Sequence, residues 1–205
     1  TGSASFDFYG GDRIGENLFA NSLIAIDAET GKRKWHFQTV HHDIWDRDLP
    51  APPNLVTVTH EGKQIEAVAQ ITKSAYVFLF DRVTGEPLFP IEEVPTTPSI
   101  LEGEAAWPTQ PIPVKPPQFS RNRVTEKDLT TRTPEAYNYV KKIWEKASEG
   151  KHFMPLTEDG TIVFPGLDGG GEWGGAAFEP SSGNLIVNAS EMPWVLSLRK
   201  ADAIG

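Results

Sequence analysis

The 205-residue chain contains no cysteine and only two methionines. Without thiols it has no disulfide scaffold, no thiolate zinc site and no cysteine nucleophile. The absence is compatible with any compartment. Positive charge is also scarce, with 19 Lys and Arg against 28 Asp and Glu and a net charge of −9. That balance argues against nucleic acid, whose phosphates select clustered basic side chains. No apolar run approaches the roughly 18 residues that a membrane-spanning helix needs. No leader with a charged, then apolar, then small-residue pattern opens the chain. It begins at Thr1 rather than Met, which reads as a processed protein or a piece of a longer one. What is plentiful is apolar surface (39% of residues) and backbone punctuation, with 18 Gly and 17 Pro. One ordinary domain with a sizeable core is within reach of this length.

The apolar residues fall in short, β-branched and aromatic runs bounded by turn residues, so the chain reads as mainly antiparallel β. Leu23–Ile26, Ala75–Phe80, Thr161–Phe164 and Asn184–Val187 are the clearest. An internal repeat overlies them. Asp27-Ala28-Glu29-Thr30-Gly31 followed by Trp35 is echoed by Asp81-Arg82-Val83-Thr84-Gly85 followed by Phe89, and by Glu179-Pro180-Ser181-Ser182-Gly183. In each, Gly supplies the positive φ of a tight turn, and an acidic residue four positions earlier caps it. A ring after the turn is placed to dock on a neighbouring unit. The glycines are 54 and then 98 residues apart, so the second gap holds a missed repeat or an insertion.

Residues 87–152 are the expected insertion. Pro87 to Pro117 holds nine prolines, which suits an extended surface loop rather than sheet interior. A helix over about 134–149 follows, with Thr133 as N-cap, Pro134 in the first turn, and Gly150 as its end. Val140, Ile143, Trp144 and Ala147 form its apolar stripe, which is expected to face the β core.

The hairpin Asp-x-x-Thr-Gly-x-x-x-Trp resembles the tryptophan-docking repeat of eight-bladed quinoprotein propellers. The stretch Trp35-His36-Phe37-Gln38-Thr39-Val40-His41-His42-Asp43-Ile44-Trp45-Asp46-Arg47-Asp48-Leu49-Pro50 closely resembles a segment of membrane-type glucose dehydrogenases that use pyrroloquinoline quinone (PQQ). Thr72-Lys73-Ser74, Phe80–Pro87, Thr109-Gln110-Pro111, Thr161–Gly166 and Glu172-Trp173-Gly174-Gly175 support the match in the same order. The resemblance implies an all-β, quinoprotein-type propeller, partial here. Several four-stranded antiparallel blades would carry one inserted helix and a Pro-rich loop. The family's propeller is about twice this length, so the chain looks like its C-terminal portion and is expected to be inactive by itself.

The resemblance also implies roles. Oxidation of an alcohol or sugar by hydride transfer to a quinone needs a base for the hydroxyl proton and a donor for the growing quinone charge. Asp46 matches the family's catalytic aspartate. Lys73, 27 residues on, matches the lysine that hydrogen-bonds the quinone, and Asn188 matches an asparagine that contacts the cofactor. Trp173 either lines the cofactor plane or serves as a core ring. Read alone, Asp46 and Asp48 cap a turn before Pro50, Lys73 is a solvated lysine, and Asn188 ends a strand. Asp48 and Ser3 are weak metal candidates. Ser3 stands where methanol-type relatives carry a metal-binding Asn, and Asp46-Arg47-Asp48 has the Asp-x-Asp spacing of lanthanide-using relatives. Calcium or magnesium is the expected ion, with a lanthanide also open. His41 and His42 are adjacent, so on a strand they diverge and do not share a site.

The expected whole is a periplasmic or otherwise extracytoplasmic enzyme, membrane-associated through parts outside this chain. It would oxidise a sugar, polyol or other alcohol and pass electrons to ubiquinone or cytochrome c. Its other partner is the rest of the propeller. The competing reading is a non-catalytic propeller scaffold or a degenerate relative, which has no reason to keep Asp46 and Lys73 at the enzyme's spacing.

Overall fold

The computed structural model describes residues 1–147 and 151–200. Short strands pair with near neighbours into five small antiparallel sheets among these residues. Strands β1 (Ser22–Ile26) and β2 (Arg33–Gln38) form a hairpin, and β3 (Asn54–His60), β4 (Lys63–Ile71) and β5 (Val77–Asp81) form a meander. Strand β6 (Ile91–Pro95) pairs with β7 (Thr109–Pro113), and helix α1 (Pro134–Trp144) follows. Strand β8 (Thr161–Val163) pairs with β11 (Trp194–Leu196) across the intervening hairpin of β9 (Ala176–Glu179) and β10 (Asn184–Val187). This is the all-β fold with one helix that the sequence predicts, but the sheets have two or three strands rather than four. In the meander a fourth strand starts and stops. Phe80 pairs with Pro87 in a single bridge, framed by Asp81 N–H on Glu86 O and Leu88 N–H on Leu79 O, both at 2.9 Å, and the pairing goes no further.

The repeat is a set of matching turns. Gly31, Gly85 and Gly183 all have positive φ, and each donates its N–H to the carbonyl four residues back, at 2.9 Å. Asp27 Oδ1 accepts the amides of Glu29 and Thr30, and Asp81 Oδ1 those of Val83 and Thr84. The first repeat docks on the second. Trp35 Nε1 donates to Arg82 O at 3.1 Å, and the indole lies on Gly85, where an added Cβ would stand 2.6 Å from Trp35 Cγ.

The central meander is packed on both faces, because alternate residues of a strand point opposite ways. Ala67, Ala69, Ile71 and Val77 lie with Val56 against Phe178, Leu185 and Val187 of β9–β10. Val68, Phe78 and Phe80 meet Leu23, Trp35 and Phe37 of β1–β2 and Ile91 and Ile112 of β6–β7. Phe37 stands 5.4 Å from Phe78 and 4.9 Å from Phe80, ring centre to ring centre.

The proline-rich segment differs from the loop predicted for it: it contains the β6–β7 ribbon. The hydrogen-bonded positions pair Pro90 with Val114 and Thr96 with Pro108, so the ladder runs through Glu92–Ile112 and Val94–Gln110. Pro95, Pro111 and Pro113 fall on the alternate pairs, where the ribbon needs no N–H. Helix α1 starts where expected, with Thr133 Oγ1 accepting Ala136 N–H at 3.1 Å. Regular helix ends at Trp144, earlier than predicted, and a further turn closes with Ala147 N–H on Ile143 O at 3.0 Å. The expected stop at Gly150 lies outside the described residues. Trp144 and Ala147 cover Val124, Ile162 and Phe164, while Val140 and Ile143 are half-buried.

Candidate active site

Two loops and one strand end converge beside the meander. After β2 the chain leaves the sheet and turns inward at Asp43, which is 1% exposed. Asp43 Oδ1 accepts the Trp45 amide at 2.9 Å, and Oδ2 accepts the Arg47 amide at 2.7 Å, Ser3 Oγ at 2.6 Å and Asn21 Nδ2 at 2.8 Å. Between those two amides Asp46 adopts φ 56°, a left-handed conformation uncommon for a residue with a side chain. Arg47 is turned inward, and burial lowers its guanidinium pKa to about 10, so it stays cationic. It donates to the carbonyls of Gly166 (3.0 Å), Lys73 (3.4 Å) and Pro165.

Lys73 follows β4, in a turn that Ala75 closes by donating its N–H to Thr72 O. Its ammonium is the hub of the site. Nζ donates to Asp46 Oδ2 at 3.1 Å, lies 2.8 Å from Asp48 Oδ1, and is 4.0 Å from Glu172 Oε1. The third carboxylate arrives on the glycine-rich segment 169–175. Gly170 N–H donates to Lys73 O at 2.7 Å and Gly171 N–H to Thr72 O at 3.2 Å. Gly169 has φ 75° and lies so close to Lys73 that a Cβ there would stand 2.4 Å from Lys73 Cγ. Glycine is what allows this close approach.

Three carboxylates around one buried ammonium leave the cluster short of positive charge. Burial pushes Asp46 up to about 6, the neighbouring carboxylates add to the rise, and the charge and hydrogen bond of Lys73 oppose it. Burial alone would lower Lys73, but Asp48 and Asp46 outweigh it and raise its pKa overall. Glu172 is also raised, mainly by burial.

The structure therefore brings Asp46, Asp48 and Lys73 together. Trp173 is 78% exposed next to Glu172. Asn188, exposed beyond β10, has Nδ2 3.6 Å from where a Cβ on Gly174 would stand. Both lie on or against the segment that carries Glu172, and among the described residues neither is hydrogen-bonded to Lys73. Ser3 is engaged with Asp43, and Asp48 with Lys73. Among the described residues no group of three or more His, Asp or Glu is arranged to hold a metal ion. The position between the carboxylates is taken by the Lys73 ammonium, so these residues alone do not fit a divalent cation. A carboxylated quinone fits better, since a shielded ammonium donor, a poised carboxylate and an open indole face lie in one loop cluster. His41 and His42 lie in bends after β2 rather than on a strand, and they do diverge. His41 Nε2 faces Glu93 Oε1 at 3.3 Å, and His42 Nδ1 faces Gly15 O at 2.7 Å.

Sequence reasoning assigned no role to Glu172, Asp43, Arg47 or Gln110. Gln110 is fully buried, and its amide donates to His41 O and accepts from His41 N–H, both at 2.8 Å, clamping β7 to the loop that leads to Asp43. All four lie in the runs that carry the family resemblance, and Asp43 has the two-residue spacing of a side-chain-capped turn to Trp45.

Residues 1–204 match the model of the PQQ glucose/ethanol/alcohol dehydrogenase β-propeller domain. Quinoprotein glucose dehydrogenase A of Acinetobacter calcoaceticus is 34% identical over 98% of this chain and 26% of its own length. The quinate/shikimate dehydrogenase (quinone) of Acinetobacter baylyi is 37% identical over 91% and 23%. The glycerol dehydrogenase large subunit of Gluconobacter thailandicus is 32% identical over 100% and 29%. Among solved structures, the quinohemoprotein alcohol dehydrogenase ADHIIG of Pseudomonas putida superposes with a TM-score of 0.60 at 22% identity, over 97% of this chain and 24% of that one. The chain thus spans about a quarter of the length of these relatives. Matched by that domain model over residues 1–204, the chain belongs to the PQQ-dependent glucose/ethanol/alcohol dehydrogenase β-propeller family.

Proposed function

We propose that this chain supplies the proton-accepting and charge-stabilising side of a PQQ site in a dehydrogenase that oxidises a sugar, polyol or other alcohol. The observation that carries the reading is the Lys73–Asp46 contact of 3.1 Å, with Asp46 held near a pKa of 6. When bound, PQQ provides the quinone carbonyl that accepts the hydride. Above pH 6 Asp46 is a carboxylate able to take the substrate hydroxyl proton, and its raised pKa makes it a stronger base than a solvated Asp. Lys73 Nζ, which keeps hydrogens beyond the one it donates to Asp46, donates to an oxygen whose negative charge grows along the reaction, so its help is greatest in the transition state. Trp173, next to Glu172, and Asn188, beside Gly174, would orient the ring. Calcium or magnesium would need ligands beyond those on this chain, and no step is assigned to it. Electrons pass on to ubiquinone or cytochrome c, on the extracytoplasmic side. Segment 87–152, an insertion between blades, would cover the mouth of the site.

A non-catalytic scaffold has no use for an ammonium and three carboxylates drawn partly out of water, since desolvation makes such clusters costly. The test uses the full-length protein with PQQ and calcium or magnesium. Glucose, glycerol, ethanol and quinate are offered with a redox dye. Asp46→Asn should lower kcat about 10²- to 10⁴-fold, and Lys73→Ala should do likewise. Undiminished turnover in Asp46→Asn overturns the assignment.

A further inference from the structure

We propose that Asp43 is the positioning residue of this site: its carboxylate locks the left-handed backbone at Asp46 and thereby sets the Asp46–Lys73 pair. The inference rests on the reading of Asp46 as the base. Asp43 holds the two amides on either side of Asp46, those of Trp45 at 2.9 Å and Arg47 at 2.7 Å. Asp46 itself sits at φ 56°, in the left-handed region that a residue with a Cβ seldom enters. A conformation of that kind persists only where its surroundings dictate it.

The carboxylate is in turn fixed from a distant part of the chain. Ser3 Oγ at 2.6 Å and Asn21 Nδ2 at 2.8 Å donate to Oδ2, and Asn21 directly precedes β1. The catalytic loop is therefore referenced to the sheet rather than left to its own flexibility. Arg47 carries the constraint to the other partner. Its amide is on Asp43, and its guanidinium is on the carbonyls of Lys73 and Gly166, at 3.4 and 3.0 Å. A shift of the 45–47 backbone thus changes the separation of Asp46 from Lys73.

All four groups facing the carboxylate are donors. Asparagine at 43 matches the shape but brings an NH₂ into a ring of donors, so at least one of the flanking amides loses its acceptor.

The experiment compares Asp43→Asn with the parent and with the exchange Asp43→Asn/Asn21→Asp, which returns a carboxylate to the same hydrogen bond from the other side. Crystal structures of the full-length protein give a readout independent of turnover. In Asp43→Asn, Asp46 should leave the left-handed region and its carboxylate should withdraw beyond ion-pair distance from Lys73. An unmoved Asp46 overturns the proposal. With PQQ, calcium and the substrate of the panel that is turned over, kcat should fall about 10²-fold with KM within about threefold, as expected for misplacement near the reacting atoms. The exchange should recover part of kcat. A rise in KM alone, or no recovery, overturns the positioning role. Should Asp43→Asn fail to fold, Ser3→Ala removes one donor and keeps the charge. A displaced Asp46 supports the proposal there and an unmoved one overturns it. Asp46→Asn serves as the separate control: full activity in that variant defeats the assignment of the base, while the crystal structures still decide the role of Asp43.

Discussion

The raised pKa of Asp46 has two consequences of defined sign. As the base must be ionised, kcat/KM of the full-length enzyme should rise with pH and reach half its plateau near pH 6, rather than near the 3.8 of a solvated Asp. The limb should vanish in Asp46→Asn, and a profile flat from pH 5 to 8 would count against the assignment. For stability, a carboxyl with a higher pKa in the folded than in the unfolded state contributes fully below its unfolded value and loses that contribution as pH rises through the folded one. Denaturant titrations at pH 4 and 7.5 should therefore show the parent losing stability relative to Asp46→Asn over that interval. Asp46 and Lys73 were legible in the sequence because they sit in short, specific runs of residues. Glu172 and Asp43 lie in equally specific runs but gained no role from them, because what gives them meaning is contact across long stretches of chain, with Lys73 and with Ser3 and Asn21.

Among the elements, the turn glycines separate local from tertiary demand. Gly31 has positive φ with open space around it, whereas Gly85 has positive φ beneath the Trp35 ring. Gly31→Ala should cost about 1–2 kcal/mol for its backbone conformation. Gly85→Ala should cost more, since it also displaces Trp35 and the hydrogen bond to Arg82 O. Equal losses in paired thermal melts would mean that the indole does not depend on this approach. The turns were readable because an Asp and a Gly four residues apart specify them by local chemistry. The β6–β7 ribbon was missed because proline content was read as a total. What decides is parity: Pro95, Pro111 and Pro113 all occupy the pairs that exchange no hydrogen bonds. Pro87 beside the meander obeys the same parity, since the bonds of its bridge to Phe80 are made by Asp81 and Leu88 on either side.

At the scale of the molecule, sheets stack face to face through the aromatic seam of Phe37, Phe78 and Phe80, and Phe80 is fully buried. Docking of a ring on a neighbouring unit was anticipated from the repeat, whereas the partners on each face follow from the register of β4, which no local pattern reveals. Some 205 residues are too few to close a ring of eight blades at roughly 50 residues each. The isolated chain, given PQQ, calcium, glucose and dye, should show little turnover, and robust turnover would show that the site needs nothing further. The ribbon also bears on how the interior is kept free of unpaired groups. Among the described residues strand β7 has a sheet partner on one side only, yet Pro111 and Pro113 are buried, so its outer edge faces protein rather than water. Any other residue at these two positions would carry an amide hydrogen into that space with neither strand nor solvent to receive it, at about 1–3 kcal/mol each. Proline has no such hydrogen. These residues thus let a strand edge be enclosed without being paired, and Pro111→Ala should destabilise the protein by more than the small side-chain change explains.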